Sequence, residues 1–135
     1  MSARLGPEVQ AAIHAMLSAD AAVSALTGGA IHDAPPPGPV PALWVRIGEE
    51  RVRDASDASG RAAVHEVVVE VSAEAGAFAA AKEAAAAICD ALEGRAPALS
   101  GASAGPIGFV RAEARRARDG RRLVRLVLRL RVDEP

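Results

Sequence analysis

Cysteine and aromatic residues are scarce in this sequence. Cys89 is the only cysteine, so no internal disulfide can form, and a lone thiol is typical of a reducing cytosol. We expect Cys89 to be a small buried thiol. Two phenylalanines, one tryptophan and no tyrosine leave a core built mainly from alanine, valine and leucine. Half of the residues are hydrophobic, which is enough for one core, and we expect residues 1–135 to form a single domain.

The sequence also lacks a basic excess and a long apolar run. Sixteen basic residues stand against seventeen acidic ones, and the net charge of −1 gives no general attraction to nucleic acid or anionic membranes. No apolar stretch approaches the ~20 residues of a membrane-spanning helix, and no basic-then-apolar leader precedes Pro7. We therefore expect a soluble, intracellular protein.

Catalytic and cofactor motifs are missing as well. No glycine-rich stretch ends in Gly-Lys-Ser or Gly-Lys-Thr, and the three histidines are scattered. We expect His65 to be a partly buried histidine, hydrogen-bonded at the end of the sheet, with a general base as the alternative. Glu66 and Glu70 share one strand face, four residues and therefore about 13 Å apart, and paired carboxylates are the catalytic role considered for them. We predict no catalytic residue, no metal site, no cofactor and no enzyme; a small ligand-binding or enzymatic α+β domain is the alternative.

The stretch from Arg61 to Leu92 is the centre of the predicted fold. Its first half alternates apolar and polar residues, which predicts a strand with one buried face. That face holds His65, Val67, Val69, Val71 and Ala73. In its second half, from Glu74, apolar residues recur every three or four positions, which predicts a helix lying on that face. The helical stripe consists of Phe78, Ala81, Ala85, Ile88 and Leu92.

The segments before this centre supply a helix, a loop and a strand. A helix is expected from Pro7, followed by a break or a second short helix over Ala21–Leu26. Five prolines make Ala30–Pro41 a surface loop, with a proline-rich ligand for a partner domain as the alternative. Leu43, Val45 and Ile47 form the apolar side of the next strand.

Two polar loops and a hairpin complete the pattern. Glu49–Gly60 is interpreted as a mobile loop between antiparallel strands, and Gly94–Pro106 as another loop. Asp119-Gly120 predicts a hairpin joining Ile107–Arg118 to Leu123–Val132. The predicted order is α-β-β-α-β-β, an α+β two-layer sandwich whose mainly antiparallel four-stranded sheet carries two helices on one face.

The other face of this sheet combines charged side chains with valines and the only tryptophan. Tryptophan and arginine are enriched at the energetic centres of interfaces, so we predict a surface for contact between copies of the chain. The alternative is a solvated face with cross-strand Glu–Arg pairs. The predicted interface residues are Trp44, Arg46, Glu66, Glu70, Arg125, Arg129 and Arg131.

Three blocks of the chain, in this order, resemble the tail terminator, or tail completion, proteins of long-tailed phages and of phage-like gene transfer agents. The first block is Ala22-Val23, Leu26, Gly28-Gly29 and Ile31-His32-Asp33-Ala34-Pro35; the second is Pro41-Ala42-Leu43-Trp44-Val45-Arg46-Ile47-Gly48. The third is Asp54, Gly60 and His65 with its alternating strand, followed by an alanine-rich helix ending in Ile88 and Leu92.

The resemblance implies a virion structural protein that forms a hexameric ring. Such a ring caps the tail tube and forms the joint to the head-side connector, and DNA passes through its lumen without sequence readout. The implied partners are other copies of the chain, the tail tube protein and the head–tail connector or adaptor protein, with assembly in the cytoplasm before incorporation into the particle. We expect Arg53, Asp54 and Asp57 to contact a neighbouring ring. Another connector or tail-tube component is the alternative.

Overall fold

The computed structural model describes residues 4–135, which form three helices and six strands. They are α1 (Gly6–Ala19), α2 (Ala21–Thr27), β1 (Ile31–His32), β2 (Leu43–Asp54), β3 (Arg61–Ala73), α3 (Phe78–Leu92), β4 (Ser103–Ala104), β5 (Gly108–Arg116) and β6 (Arg122–Glu134). Residues 1–3, part of the segment predicted to contain no leader, lie outside the described residues. The predicted α+β class is confirmed.

The sheet is larger and less regular than the predicted four-stranded one. Its strands follow the order β1-β2-β3-β6, and β6 pairs along its other edge with both β4 and β5. The pair β1–β2 is parallel and the remaining pairs are antiparallel, so the sheet is mixed. It is also curled: residues of β2 and β5 line the same cavity, although β3 and β6 lie between them. The sheet therefore has more strands than the four predicted, and its pairing is mainly but not wholly antiparallel.

The helices cover one face of the sheet, as predicted. α3 lies over β3 and β6, and α1 packs on β2 and α3. From Ala63 to Ala73 the side chains at the odd positions of β3 are buried, and α3 buries Ala81, Ala85, Ile88 and Leu92 against them. Alanines in α3 let the helix approach the valines of β3 closely, which compensates for the scarcity of aromatic side chains.

The first helical segment breaks where the sequence predicted a break. Pro7 lies in the first turn of α1, and Asp20 ends that helix in an extended conformation. The Asp20 carboxylate accepts a hydrogen bond from the Val23 N–H at 3.0 Å, so the same residue caps the start of α2. Gly28, with φ +63°, ends α2 in a left-handed conformation.

Three loops predicted from the sequence contain strand residues, and one of them, Ala30–Pro41, contains β1. β2 continues to Asp54 with a register shift between Ile47 and Glu50, so only residues 55–60 turn the chain. The bulge interrupts the alternation of apolar side chains, which removed the signal on which the prediction depended. In the same way, the segment 94–106 contains β4, whose two residues pair with Asp133 and Val132 of β6.

The hairpin around Asp119-Gly120 is confirmed. Gly120 has φ +89° and donates its N–H to the Ala117 carbonyl at 3.0 Å, and Ala117 donates to the Arg121 carbonyl at 2.8 Å. Over residues 4–135, no single helix is long and apolar enough to cross a membrane. α1 and α2 reach that length and composition only together, and they meet at an angle of 84°.

Candidate functional site

The face of the sheet opposite the helices is concave and carries most of the predicted interface residues. We call it the concave face. Its members on β2, β3 and β6 are Arg46, Val64, Glu66, Val68, Glu70, Arg125, Val127, Arg129 and Arg131. Because the sheet curls, Arg111 and Arg115 of β5 also line it. Six of the seven predicted interface residues are therefore brought together on one surface.

Acidic and basic side chains alternate across the concave face. Glu66 lies opposite Arg129 and Glu70 opposite Arg125 in the antiparallel register of β3 and β6. Arg125 also forms an ion pair with Glu49, which reaches over from the bulge of β2. That hydrogen bond raises the pKa of the Arg125 guanidinium and lowers the pKa of the Glu49 carboxyl. Much of the charge in the middle of this face is thus balanced within the chain.

Arginines near the β4–β5 edge form fewer ion pairs within the chain. Arg129 and Arg131 are exposed, and they lie where β6 passes from pairing with β4 to pairing with β5. Arg131 contacts Asp133 at 3.2 Å, whereas Arg129 forms no ion pair among residues 4–135. These two side chains are available to a partner.

Trp44, the seventh predicted interface residue, is covered by the chain itself. It is 7% exposed, and its ring centroid lies 6.1 Å from that of His32. Its strand partner Ser72 is buried as well. The His32 ring of β1 is the neighbouring ring beside it. Trp44 therefore supports the end of the sheet and is not a free contact.

Arg121 closes this end of the sheet, and sequence reasoning missed it. From the tip of the final hairpin, its guanidinium donates to Ser72 Oγ at 2.7 Å, to the Ser72 carbonyl at 3.2 Å and to the Pro41 carbonyl at 3.0 Å. In the sequence, Arg121 is one of nine arginines between Arg111 and Arg131, and nothing local distinguishes it from the others.

The geometry does not assemble the acid–base group considered from the sequence. His65 is fully buried on the helix-covered side, with Nδ1 3.5 Å from Glu50 Oε2 and Nε2 unpartnered among the described residues. Glu66 and Glu70 point to the concave face, so the sheet separates them from His65. His65 is thus more deeply buried than the partial burial expected, and its polar neighbour is Glu50, a residue that the sequence placed in a loop.

The cavities of the concave face are small and polar. One, of about 130 Å³, lies between Arg46, Glu70 and Arg125; another, of about 280 Å³, lies over Val127. A larger cavity, of about 800 Å³, is an open cleft between α1 and the β1–β2 edge, and it contains no predicted interface residue. Residues 4–135 contain no group of three histidine, cysteine, aspartate or glutamate side chains placed to hold a metal ion.

Cys89 is half-buried on α3. Burial raises the pKa of its thiol to about 11, and the nearby Glu93 adds to the shift. Because the thiolate is the reactive form, Cys89 is protonated and unreactive at neutral pH.

Comparison with known proteins shows to which family the chain belongs. The sequence model of the family described as "Tail completion protein gp17" matches residues 11–132. The chain belongs to this family. The resemblance stated from the sequence is therefore confirmed. No curated protein matches the chain.

A solved structure gives a second, independent likeness. The chain is similar to a chain of the structure entitled "Virion of native gene transfer agent (GTA) particle", with 46% sequence identity and a TM-score of 0.87. The match covers 92% of this chain and 93% of that one. The two chains therefore share their fold over almost their whole length.

Of the residues expected to contact a neighbouring ring in this tail completion family member, Arg53 and Asp54 end β2 and Asp57 lies in the turn that follows. Asp57 accepts hydrogen bonds from the Ser59 N–H at 2.9 Å and the Ser59 hydroxyl at 2.6 Å, which lowers the pKa of its carboxyl. Asp54 accepts the Ser56 hydroxyl at 2.7 Å, and Arg53 is exposed on β2. The turn is thus shaped by its own side chains and projects beyond the sheet.

Proposed function

We propose that this chain is a structural tail completion subunit of a phage-like gene transfer particle. It forms a hexameric ring that caps the tail tube and joins it to the head-side connector. The observation that carries the proposal is the 46% identity, over 92% of the chain, to a component of a gene transfer agent virion. Membership of the tail completion family supports the same role.

The proposed partners follow from that position in the particle. They are other copies of the chain, the tail tube protein and the head–tail connector or adaptor protein, and DNA passes through the lumen without base readout. Assembly takes place in the cytoplasm before the ring enters the particle. We infer a non-catalytic role, because the sheet separates His65 from Glu66 and Glu70.

The proposed contact between subunits lies at the β4–β5 edge of the concave face. Arg129 and Arg131 are exposed there, while Arg46, Glu66, Glu70 and Arg125 form a charged lining deeper in the concavity. Since exposed charges contribute to orientation and association rate more than to bulk affinity, their arrangement favours one docking geometry. Trp44 is buried and is therefore left out of the proposed contact. Arg53, Asp54 and Asp57 are proposed to meet a neighbouring ring.

Charge reversal at Arg129 tests this interface. Arg129→Glu places a second acid opposite Glu66 and removes an exposed cation, so we expect the dissociation constant for ring assembly to rise about tenfold, or 1.4 kcal/mol. Arg95→Glu, a reversal at another exposed arginine, serves as the control. Assembly is measured by analytical ultracentrifugation, and thermal melting checks that both variants fold. Unchanged assembly of Arg129→Glu would remove this surface from the interface.

Complementation distinguishes the ring from a tube component. Particles made without the native tail completion protein are expected to recover tails of normal length when this chain is supplied. Open-ended polymerisation of the purified chain would instead indicate a tail-tube component, and a ring of another order would indicate a different connector.

A further inference from the structure

The helices of the chain leave one strand of the sheet uncovered. α3 lies over β3 and β6, whereas β5 is exposed along most of its length. Between α3 and β5 runs an open cavity of about 320 Å³, here called the edge groove. Ala86 and Cys89 of α3 form one wall, and Phe109, Ala112 and Ala114 of β5 form the other. Phe109 is 47% exposed, which is unusual for the side chain of a phenylalanine beside a core.

β5 is also an open strand edge. It pairs with β6 on one side, and its other side has no strand partner among residues 4–135. Open edges with apolar side chains promote association with other chains, so soluble proteins cover or charge them. The row of Phe109, Ala112 and Ala114 on the helix side of β5 is apolar. Residues 4–135 do not provide a cover for it.

The rim of the edge groove carries positive charge. Lys82 lines the groove, and Arg116 follows Ala114 on the same side of β5. Neither forms an ion pair among the described residues. Glu113, which also lines the groove, is held by Arg111 at 3.1 Å. The surface that covers this groove should therefore be acidic and small.

The chain itself presents such a surface. The helical stretches Gly6–Thr27 and Phe78–Glu93 contain five acids and one lysine, whereas Gly108–Glu134 contains nine arginines and four acids. On α3, Glu83 and Asp90 are exposed and seven residues apart, which places both on the outer side of the helix. The small exposed side chains beside them are alanines. The two halves of the molecule are complementary in charge.

We propose that the edge groove is occupied by the outer side of α3 from a second copy of this chain. Glu83 and Asp90 of that copy face Lys82 and Arg116 of the first, and its helix covers Phe109. The contact extends the helical layer over β5, the strand that the chain's own helices do not reach. The occupant is a second copy because the charge that complements the groove is on the chain's own helices.

This contact specifies how the subunits of the proposed ring meet. It rests on the proposed function, which supplies the ring. The edge groove and the outer side of α3 are different surfaces of one chain, so the contact is head-to-tail, and repetition of such a contact closes into a ring when the rotation permits. Arg129 and Arg131 lie on the other side of the same sheet edge, near β4 and β5. A neighbour docked on β5 can therefore contact both sides of the edge.

A charge swap between copies tests the contact. One variant combines Lys82→Glu with Arg116→Glu, and the other combines Glu83→Lys with Asp90→Lys. Each places like charges across the proposed contact, so each alone should assemble with a dissociation constant raised at least about tenfold. Mixed in equal amounts, the two variants restore opposite charges at every contact and should assemble like the wild-type chain, as measured by native mass spectrometry.

The apolar part of the groove has a matched control. Phe109→Asp should block assembly without changing the melting temperature, because the side chain is already half exposed. Val40→Asp, at a side chain 50% exposed in the proline-rich loop, should assemble normally. Equal effects of the two substitutions would count against the groove.

The outcomes separate this contact from the proposed function. If the wild-type chain forms rings and both charge variants also assemble alone, the contact is wrong and the ring stands. If the variants fail alone and recover on mixing, but the rings are not hexameric, the contact stands and the proposed ring order is wrong. A wild-type chain that stays monomeric at high concentration overturns both.

Discussion

Arg121 shows how much of this fold depends on single side chains far apart in sequence. Its guanidinium joins the tip of the final hairpin to Ser72 at the end of β3 and to the Pro41 carbonyl before β2. Hydrogen bonds from a charged donor to half-buried acceptors are stronger than neutral ones, and their loss leaves the acceptors unsatisfied. The closed end of the curled sheet, with Trp44 inside it, depends on this group.

Arg121→Ala should therefore destabilise the chain. We expect a loss of about 1–3 kcal/mol in the free energy of unfolding, measured by urea denaturation. Arg118→Ala, at an exposed arginine of the same turn, is the control and should change stability by less than about 0.5 kcal/mol. Equal effects of the two substitutions would show that the Arg121 contacts do not hold the sheet end.

Asp57 gives a pH-dependent prediction at the same scale. Hydrogen bonds from Ser59 lower the pKa of its carboxyl below the value of 3.8 expected in an unfolded chain. A group whose pKa is lowered by folding stabilises the native state above the unfolded pKa, and this contribution is lost as the pH falls through the folded pKa. Asp57→Asn should thus be less stable than the wild-type chain at pH 6, and the difference should shrink below about pH 4. A difference that stays constant down to pH 2 would contradict the assignment.

At the scale of elements, β3 divides the molecule into a core and a surface. From Ala63 to Ala73 its odd positions are buried beneath α3, and its even positions from Val64 to Glu70 point to the concave face. Neighbouring residues of one strand therefore have different energetic roles, although the sequence shows the same valine at both.

Val69 and Val68 form the matched pair that tests this division. Val69 is fully buried, so Val69→Ala removes two buried methyl groups and should cost about 2–3 kcal/mol of unfolding free energy. Val68 is half-buried on the concave face, and Val68→Ala should cost about 1 kcal/mol or less. Chemical denaturation of both variants provides the comparison. A larger loss of unfolding free energy for Val68→Ala than for Val69→Ala would mean that the core lies on the opposite face of β3.

The elements with regular patterns could be predicted from the sequence, and those formed by long-range contacts could not. The alternation in β3, the helical spacing in α3 and the Asp119-Gly120 turn are local signals, and each of these elements is confirmed. The second half of β2 was interpreted as a loop because its bulge breaks the alternation. β1 and β4 have two residues each, too few for a periodic pattern, and they exist only through pairing with β2 and β6.

The candidate site was predictable to a similar extent. Strand parity placed six of the seven interface residues on one face, since parity depends only on position within a strand. Parity does not reveal the curl that brings β5 towards β2, and it does not reveal that Trp44 is buried. The exposure of Phe109 could not be predicted from the sequence either, because it depends on how far α3 covers the sheet.

At the scale of the whole molecule, the net charge is near zero, but acidic and basic residues are unevenly distributed. Acids predominate on the helical layer and arginines on the final hairpin. A molecule of this kind is complementary to its own copies, which agrees with the proposed ring. Because exposed charges contribute to that association, raising the ionic strength should weaken assembly.

The mass of the purified chain in solution tests the central claim most directly. Native mass spectrometry or ultracentrifugation at moderate salt should give a discrete species of about six times 13.8 kDa, and electron microscopy should show it as a ring. A monomer at all concentrations, or an open-ended polymer, would contradict the account.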